Sequence, residues 1–180
     1  MVGMKFIKKR ITKIALRAFA LWVVTIFLIQ IAAPNPVVEV MPENCPLNSG
    51  NCVRVDSVGT SYRYNNLEAP QIQASSLEVK EVISNWLINE KGAKILFSEF
   101  DENQNNYFLH FKDNSEFLFF PDDIYVTTAC LEGSNLTDVT LQSQSRLGMG
   151  DLGVNFERFS ELISYLDKYS WASQSCHIDN

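Results

Sequence analysis

The first 33 residues constrain this chain more than any other stretch. Lys5, Lys8, Lys9, Arg10, Lys13 and Arg17 stand there without a single acid. From Ala18 to Ala33 the chain is then uncharged and runs through Leu21, Trp22, Val23, Val24, Ile26, Phe27, Leu28 and Ile29. A basic flank followed by an unbroken apolar run is the pattern of a membrane segment. As a helix, Ala18 to Ala33 rises about 24 Å, short of the roughly 30 Å hydrocarbon core, but starting at Ile14 with Arg17 snorkelling supplies the missing turn.

The sequence therefore predicts a basic N-terminus over residues 1–13 and a transmembrane signal anchor over 14–33. A cleaved signal peptide competes, because Ala32 and Ala33 are small; against it, Pro34 follows directly, Gln30 is a poor member of an A-x-A site and the apolar run is long for a signal core. An organellar transit segment is the third alternative. The cation bias, with none between Ala18 and Gly50, places the N-terminus in the cytoplasm and the remainder on the periplasmic, lumenal or extracellular side of a membrane crossed once.

Those six basic residues come out of 15 Lys and Arg, leaving nine against all 21 acids and a net charge of −12 over residues 34–180. Such a surface repels nucleic acid and anionic headgroups, so the expected partners exclude nucleic acid and begin with the membrane, through the N-terminal helix. Cys45, Cys52, Cys130 and Cys176 all fall on the exported side, where an oxidising compartment permits disulfides. Three pairings are open. Cys45 with Cys52 would close a small loop through Pro46, Asn48 and Gly50, leaving Cys130 and Cys176 to pin the C-terminal tail. A six-residue spacer with no clustered His is poor zinc spacing, and neither metal nor cofactor is expected.

Residues 34–75 hold five of the six prolines and many Asn and Ser, and read as a linker followed by irregular structure. Ser75, with Glu78 three residues on, makes a capping box before Leu77, Val79, Val82, Ile83, Trp86 and Leu87, and Gly92 closes a helix over about 76–91. Strand signals follow at Lys94–Glu99, Asn106–Lys112, Glu116–Phe120, Ile124–Cys130 and Val139–Arg146, separated by turns such as Asp101-Glu102-Asn103 and Asp113-Asn114-Ser115. Pro121 there implies a bulge or an edge. Asn155 then suits the N-cap of a helix carrying Phe156, Phe159, Leu162, Ile163, Leu166 and Tyr169. Residues 76–180 thus make an α+β domain, an antiparallel sheet of four to five strands with two helices packed on one face, and the Cys45–Cys52 segment packs with it.

Within that frame three motifs stand out: Cys45-Pro46 followed by Asn51-Cys52-Val53; Phe120-Pro121-Asp122-Asp123; and the run Ser145-Arg146 through Gly148, Asp151, Gly153 and Asn155 to Arg158. Together these residues resemble an uncharacterised family, domain of unknown function 1499. The resemblance spans most of the exported part and implies the fold and a candidate surface, with no catalytic roles attached.

The candidate binding surface is Arg146, Gly148, Gly150, Asp151, Gly153, Asn155 and Arg158, joined by Asp122 and Asp123. Glycines at 148, 150 and 153 leave backbone N–H groups unobstructed and lead into the positive end of a helix dipole, where Arg146 and Arg158 could hold an anionic headgroup or carboxylate. The competing reading pairs Arg146 with Asp151, Asp122 or Asp123 and leaves the glycines merely to turn the chain. No Lys-Ser or Lys-Thr follows the glycines, so this is no P-loop, and the dinucleotide spacing is absent.

Adjacent acids on an extended chain point to opposite faces, so Asp122 and Asp123 make a poor acid/base pair unless a bulge turns them. Histidine occurs only as His110, inside a strand, and His177; no nucleophile elbow is present. The aromatic cluster from Phe97 to Phe120 reads as core in preference to the wall of a lipid pocket. Asn135-Leu136-Thr137 is a glycosylation sequon or simply a turn. A non-catalytic, membrane-anchored module binding a small amphipathic or anionic ligand, or an envelope protein, is the leading expectation. The alternatives are a hydrolase or transferase using Asp122, Asp123 and Asp151 with Arg146 around a metal or anionic substrate, and a structural subunit of a membrane assembly.

Overall fold

The computed structural model of the protein describes residues 2–102, 106–131, 133–172, 175 and 176, with side chains from Arg10 onward. Helix α1 spans Val2–Ala32, and within it Arg10–Ala32 is long and apolar enough to cross a membrane. Pro34 and Pro36 prevent its continuation. The remaining elements are β1 (Cys52–Val55), β2 (Gln71–Ile72), α2 (Ser76–Asn89), β3 (Lys94–Asp101), β4 (Asn106–Asn114), β5 (Pro121–Cys130), β6 (Thr137–Ser145) and α3 (Val154–Leu166).

Six strands form one antiparallel sheet in the order β1-β6-β5-β4-β3, with β2 also pairing β6. Both α2 and α3 pack on one face, as the apolar alternation requires: Val53, Val55, Leu109, Phe111, Ile124, Val126, Val139 and Leu141 meet Val79, Ile83 and Leu87 of α2 and Phe159, Leu162 and Leu166 of α3. Each such side chain contributes roughly 1.5–3 kcal/mol on burial, which makes this layer the main source of stability.

Four details differ from the sequence expectation. Glu116–Phe120 is not a strand. Asn114 pairs with Pro121, so residues 115–120 must reverse the chain between β4 and β5, and Phe119 takes a left-handed φ of 56°. Aromatic β-propensity presumes a neighbour to pack on, and a hairpin loop offers none on the sheet. Pro121 becomes the first residue of β5, a place where a missing N–H does no harm.

Second, the supposed irregular segment supplies β1 and β2, both drawn onto β6. Third, Asn155 is not the N-cap of α3; Gly153 is, at φ 88°, and the Asp151 carboxylate accepts from the backbone N–H of Gly153 (3.2 Å) and Asn155 (3.0 Å). Fourth, α3 ends at Leu166, short of Tyr169. Ser75 caps α2 as expected, its Oγ accepting from the Glu78 N–H at 3.2 Å, while the Glu78 carboxylate accepts from the Ala172 N–H at 2.8 Å. Asn103 and His177 lie outside the described residues.

The opposite face of the sheet is buried and polar, carrying Arg54, His110, Asp123, Tyr125 and Gln142. The chain leaving α1 crosses it. The Pro42 carbonyl accepts from Arg54 Nη1 at 2.6 Å, and the Cys45–Cys52 disulfide (Cα–Cα 5.9 Å) fastens this strap to β1. Cys130–Cys176 (Cα–Cα 5.3 Å) ties the C-terminal tail to the end of β5. Among the described residues no cysteine is free.

Candidate binding cleft

The glycine loop after β6 is held in place from below. Asn51 donates through Nδ2 to the carbonyls of Ser145 (3.1 Å) and Gly148 (2.8 Å). In return, Asn155 Nδ2 donates to the Asn51 carbonyl at 2.9 Å. Gly50 bridges Gly150, so close that a Cβ at Gly50 would collide with the Met149 carbonyl. The loop before Cys52 and the loop after Ser145 therefore form one rigid corner.

Arg158, on the first turns of α3, lies beneath that corner. Its side chain is 4% exposed, and all five N–H donors are engaged. Nη2 donates to Asp122 Oδ2 at 2.8 Å and to Asp113 Oδ2 at 2.9 Å. Nε also reaches Asp113 (3.2 Å), while Nη1 donates to Ser143 Oγ (2.7 Å) and to Asn155 Oδ1. Burial raises the Asp122 carboxyl above the ordinary carboxylate value, more than Arg158 and a Ser145 hydrogen bond lower it. No donor of Arg158 is left for a ligand.

Arg146 lies on the other side of the sheet. It grips Asp123 with two bonds, Nε to Oδ2 at 2.9 Å and Nη2 to Oδ1 at 2.7 Å, and gives Nη1 to the Ala33 carbonyl (3.3 Å) and Asn35 Oδ1 (2.8 Å). His110 Nε2 meets the same Asp123 at 2.7 Å. Burial raises the Asp123 carboxyl, but the His110 and Arg146 hydrogen bonds and charges outweigh it and hold the group below the ordinary range. Burial also pushes the neighbouring Tyr125 phenol up. His110 Nδ1 has no hydrogen-bond partner among the described residues. The His110 ring packs on Tyr125, with centroids 4.7 Å apart, and is fully buried, which gives this group no route to a substrate.

Asp122, Ser145, Gly148, Gly150, Asp151 and Arg158 instead converge on one cleft of about 740 Å³ between the β4–β5 loop and the glycine loop. Apolar walls come from Phe117, Leu118 and Phe120 on one side and Leu147, Leu152 and Val154 on the other; Asp113, Asp122 and Arg158 form the floor; Glu90, Lys91, Glu157 and Glu161 stand at the rim. Acids outnumber cations in this lining, its one arginine, Arg158, is spent on carboxylates, and the first amides of α3 already serve Asp151. The arrangement suits an apolar chain with a neutral or cationic polar end.

Of the sequence candidates, the structure brings Asp122, Gly148, Gly150, Asp151 and Arg158 to the cleft, puts Gly153 and Asn155 behind it as cap and strut, and sends Arg146 and Asp123 to the strap face. Asp122 and Asp123 are thus separated, as alternation demands. The sequence reading missed Asn51, Asp113 and Ser143 as members of the network. Asn51 carried a signal in its place beside Cys52; Asp113 looked like an ordinary turn residue. Among the described residues no cluster of three metal-ligating side chains is present.

The family model for a protein of unknown function, DUF1499, matches residues 43–166. No curated protein and no solved structure matches the chain.

Proposed function

The chain belongs to the DUF1499 family, and from that premise we propose a membrane-anchored, extracytoplasmic binding module whose cleft takes a small amphipathic molecule without transforming it. Arg10–Ala32 is the uncleaved anchor, oriented N-terminus inward. The six N-terminal cations and two disulfides on the far side of the anchor support that orientation and an oxidising cell-envelope or lumenal compartment. Apolar walls over a floor of carboxylates tied down by Arg158 carry the ligand reading. An apolar chain would lie between Phe120 and Leu147, and a neutral or cationic head would meet Glu157 at the rim, where Glu161 is already paired with Lys91. Asp122 and Asp113 share the one Arg158 guanidinium, which favours a fixed floor over an acid/base pair.

Native mass spectrometry of the full chain, released from its own membrane, tests this directly. A defined non-covalent passenger is expected, and Leu147→Glu/Leu152→Glu, which sets two acids on the apolar wall, should lose it while keeping the wild-type melting transition. A bare wild-type mass, with no uptake from lipid extract of the same membrane, overturns the ligand reading.

A further inference from the structure

The β4–β5 loop carries an apolar tip with no place in the core. Phe117 is 73% exposed and Phe119 is 40% exposed. Both lean on the anchor helix, the Trp22 ring lying 6.4 Å from Phe117 and 6.5 Å from Phe119 between centroids. Trp22 is ten residues before the end of α1, about 15 Å along the axis, and Gln30 only two residues, about 3 Å. The loop follows that gradient: Gln30 Nε2 donates to the Phe119 carbonyl, and Trp22 Nε1 donates to the Phe117 carbonyl at 3.1 Å.

From these contacts we infer that the β4–β5 loop is a second membrane contact, with Phe117 and Phe119 entering the acyl-chain region of the leaflet that the anchor leaves on the domain side. Hydrocarbon tolerates irregular backbone only where its polar groups are satisfied. Here the Phe117 and Phe119 carbonyls are taken by Trp22 and Gln30. The Phe119 N–H donates to the Ser115 carbonyl at 3.1 Å, and the Phe120 N–H to Ser115 Oγ at 3.0 Å. Lys112, whose Nζ donates to Gln30 Oε1 at 3.0 Å, stands at headgroup level. Glu116 lines the cleft. Since Phe117 also lines it, the mouth of the cleft would open at the bilayer surface.

The inference rests on the anchor reading, not on what fills the cleft. Its test uses the full chain in phosphatidylcholine vesicles, with the photoreactive aromatic p-benzoylphenylalanine placed at Phe117 and, separately, at Val58, which is 81% exposed at the opposite end of the sheet. Irradiation followed by mass spectrometry should give a phospholipid adduct at position 117, at least tenfold more abundant than at position 58. Alkaline carbonate washing reads the anchor independently. A chain that resists carbonate but gives no excess of lipid adduct at 117 overturns the loop contact and leaves the anchor standing. A chain released by carbonate overturns the anchor, and the loop contact with it.

Discussion

Asp122 and Asp123, consecutive in the chain, lie on opposite faces of the sheet, each held by its own arginine: Asp122 by Arg158 at 2.8 Å beneath the helices, Asp123 by Arg146 at 2.7 Å beneath the strap. One dipeptide thus joins the two layers that cover the sheet. It also keeps either arginine from serving as a free anion receptor, since a guanidinium engaged with a buried carboxylate has little left to offer.

The two acids should respond to pH with opposite sign. Asp122 has a folded value above the ordinary 3.8, so on acidification the folded state takes up its proton before the unfolded chain does. Its contribution to stability is greatest below 3.8 and is lost as pH rises through the folded value. Asp123, lowered, contributes stability that is full above 3.8 and is lost as pH falls through its folded value. Unfolding free energies of Asp122→Asn and Asp123→Asn, followed by urea titration across the acid range, check this. The first variant should steepen the rise of stability with pH relative to wild type, and the second should flatten it.

Arg158→Met should destabilise the domain by about 3–5 kcal/mol, because Asp122 and Asp113 would be left buried without a counter-charge. Adding Asp122→Asn to that background should recover part of the loss, a coupling that only a direct pair gives. Equal, additive losses in a double-mutant cycle measured by urea denaturation would contradict the pairing.

Gly50 has neither positive φ nor an exposed position, and its requirement comes from the Met149 carbonyl alone. Gly50→Ala should therefore shift the 147–153 loop and cost about 1–3 kcal/mol by overpacking. Amide hydrogen exchange should localise the loss of protection to Gly148–Gly153 and Asn51, leaving α2 as in the wild type.

Much of this architecture is legible in the sequence because it depends on local pattern. Period-two alternation marks β4, β5 and β6, the Ser75–Glu78 spacing marks α2, and the alternation rule alone separates Asp122 from Asp123. What escapes is decided by distant partners. Glu116–Phe120 has strand composition, yet becomes a loop because β4 and β5 pair to their ends and because Trp22, 95 residues away in sequence, receives it. Cys52–Val55 is a strand only because β6 offers an edge. Asn155 has the chemistry of a cap, but Asp151 takes that role and frees the Asn155 side chain to join Asn51, Ser143 and Arg158. The cleft was half visible: its glycine wall stands in one motif, its aromatic wall in a segment that composition assigns to the core.

Reducing Cys130–Cys176 should matter more than reducing Cys45–Cys52. The sequence separations are 46 and 7 residues, and loop-closure entropy assigns them about 4 and about 2.5 kcal/mol respectively. Serine pairs at each bridge, compared by thermal melting without reductant, should rank in that order. The reverse order would mean that the strap's hold on the polar face, and not chain entropy, sets the value of the shorter bridge.

Binding and folding should separate at Arg146. This residue does not line the cleft; it closes the strap face by bonding Asp123, Ala33 and Asn35. Arg146→Ala should thus remove a counter-charge from a buried carboxylate and lower stability by about 3–5 kcal/mol. The passenger in native mass spectra should keep its mass and occupancy in the fraction that remains folded. Arg146→Lys restores the charge but not the two-pronged geometry, and should recover only part of the stability. Were the passenger lost from Arg146→Ala at temperatures where circular dichroism shows an intact fold, the ligand would belong to the strap face around Asp123 and His110, and the cleft beneath the glycine loop would be merely the seam between two loops.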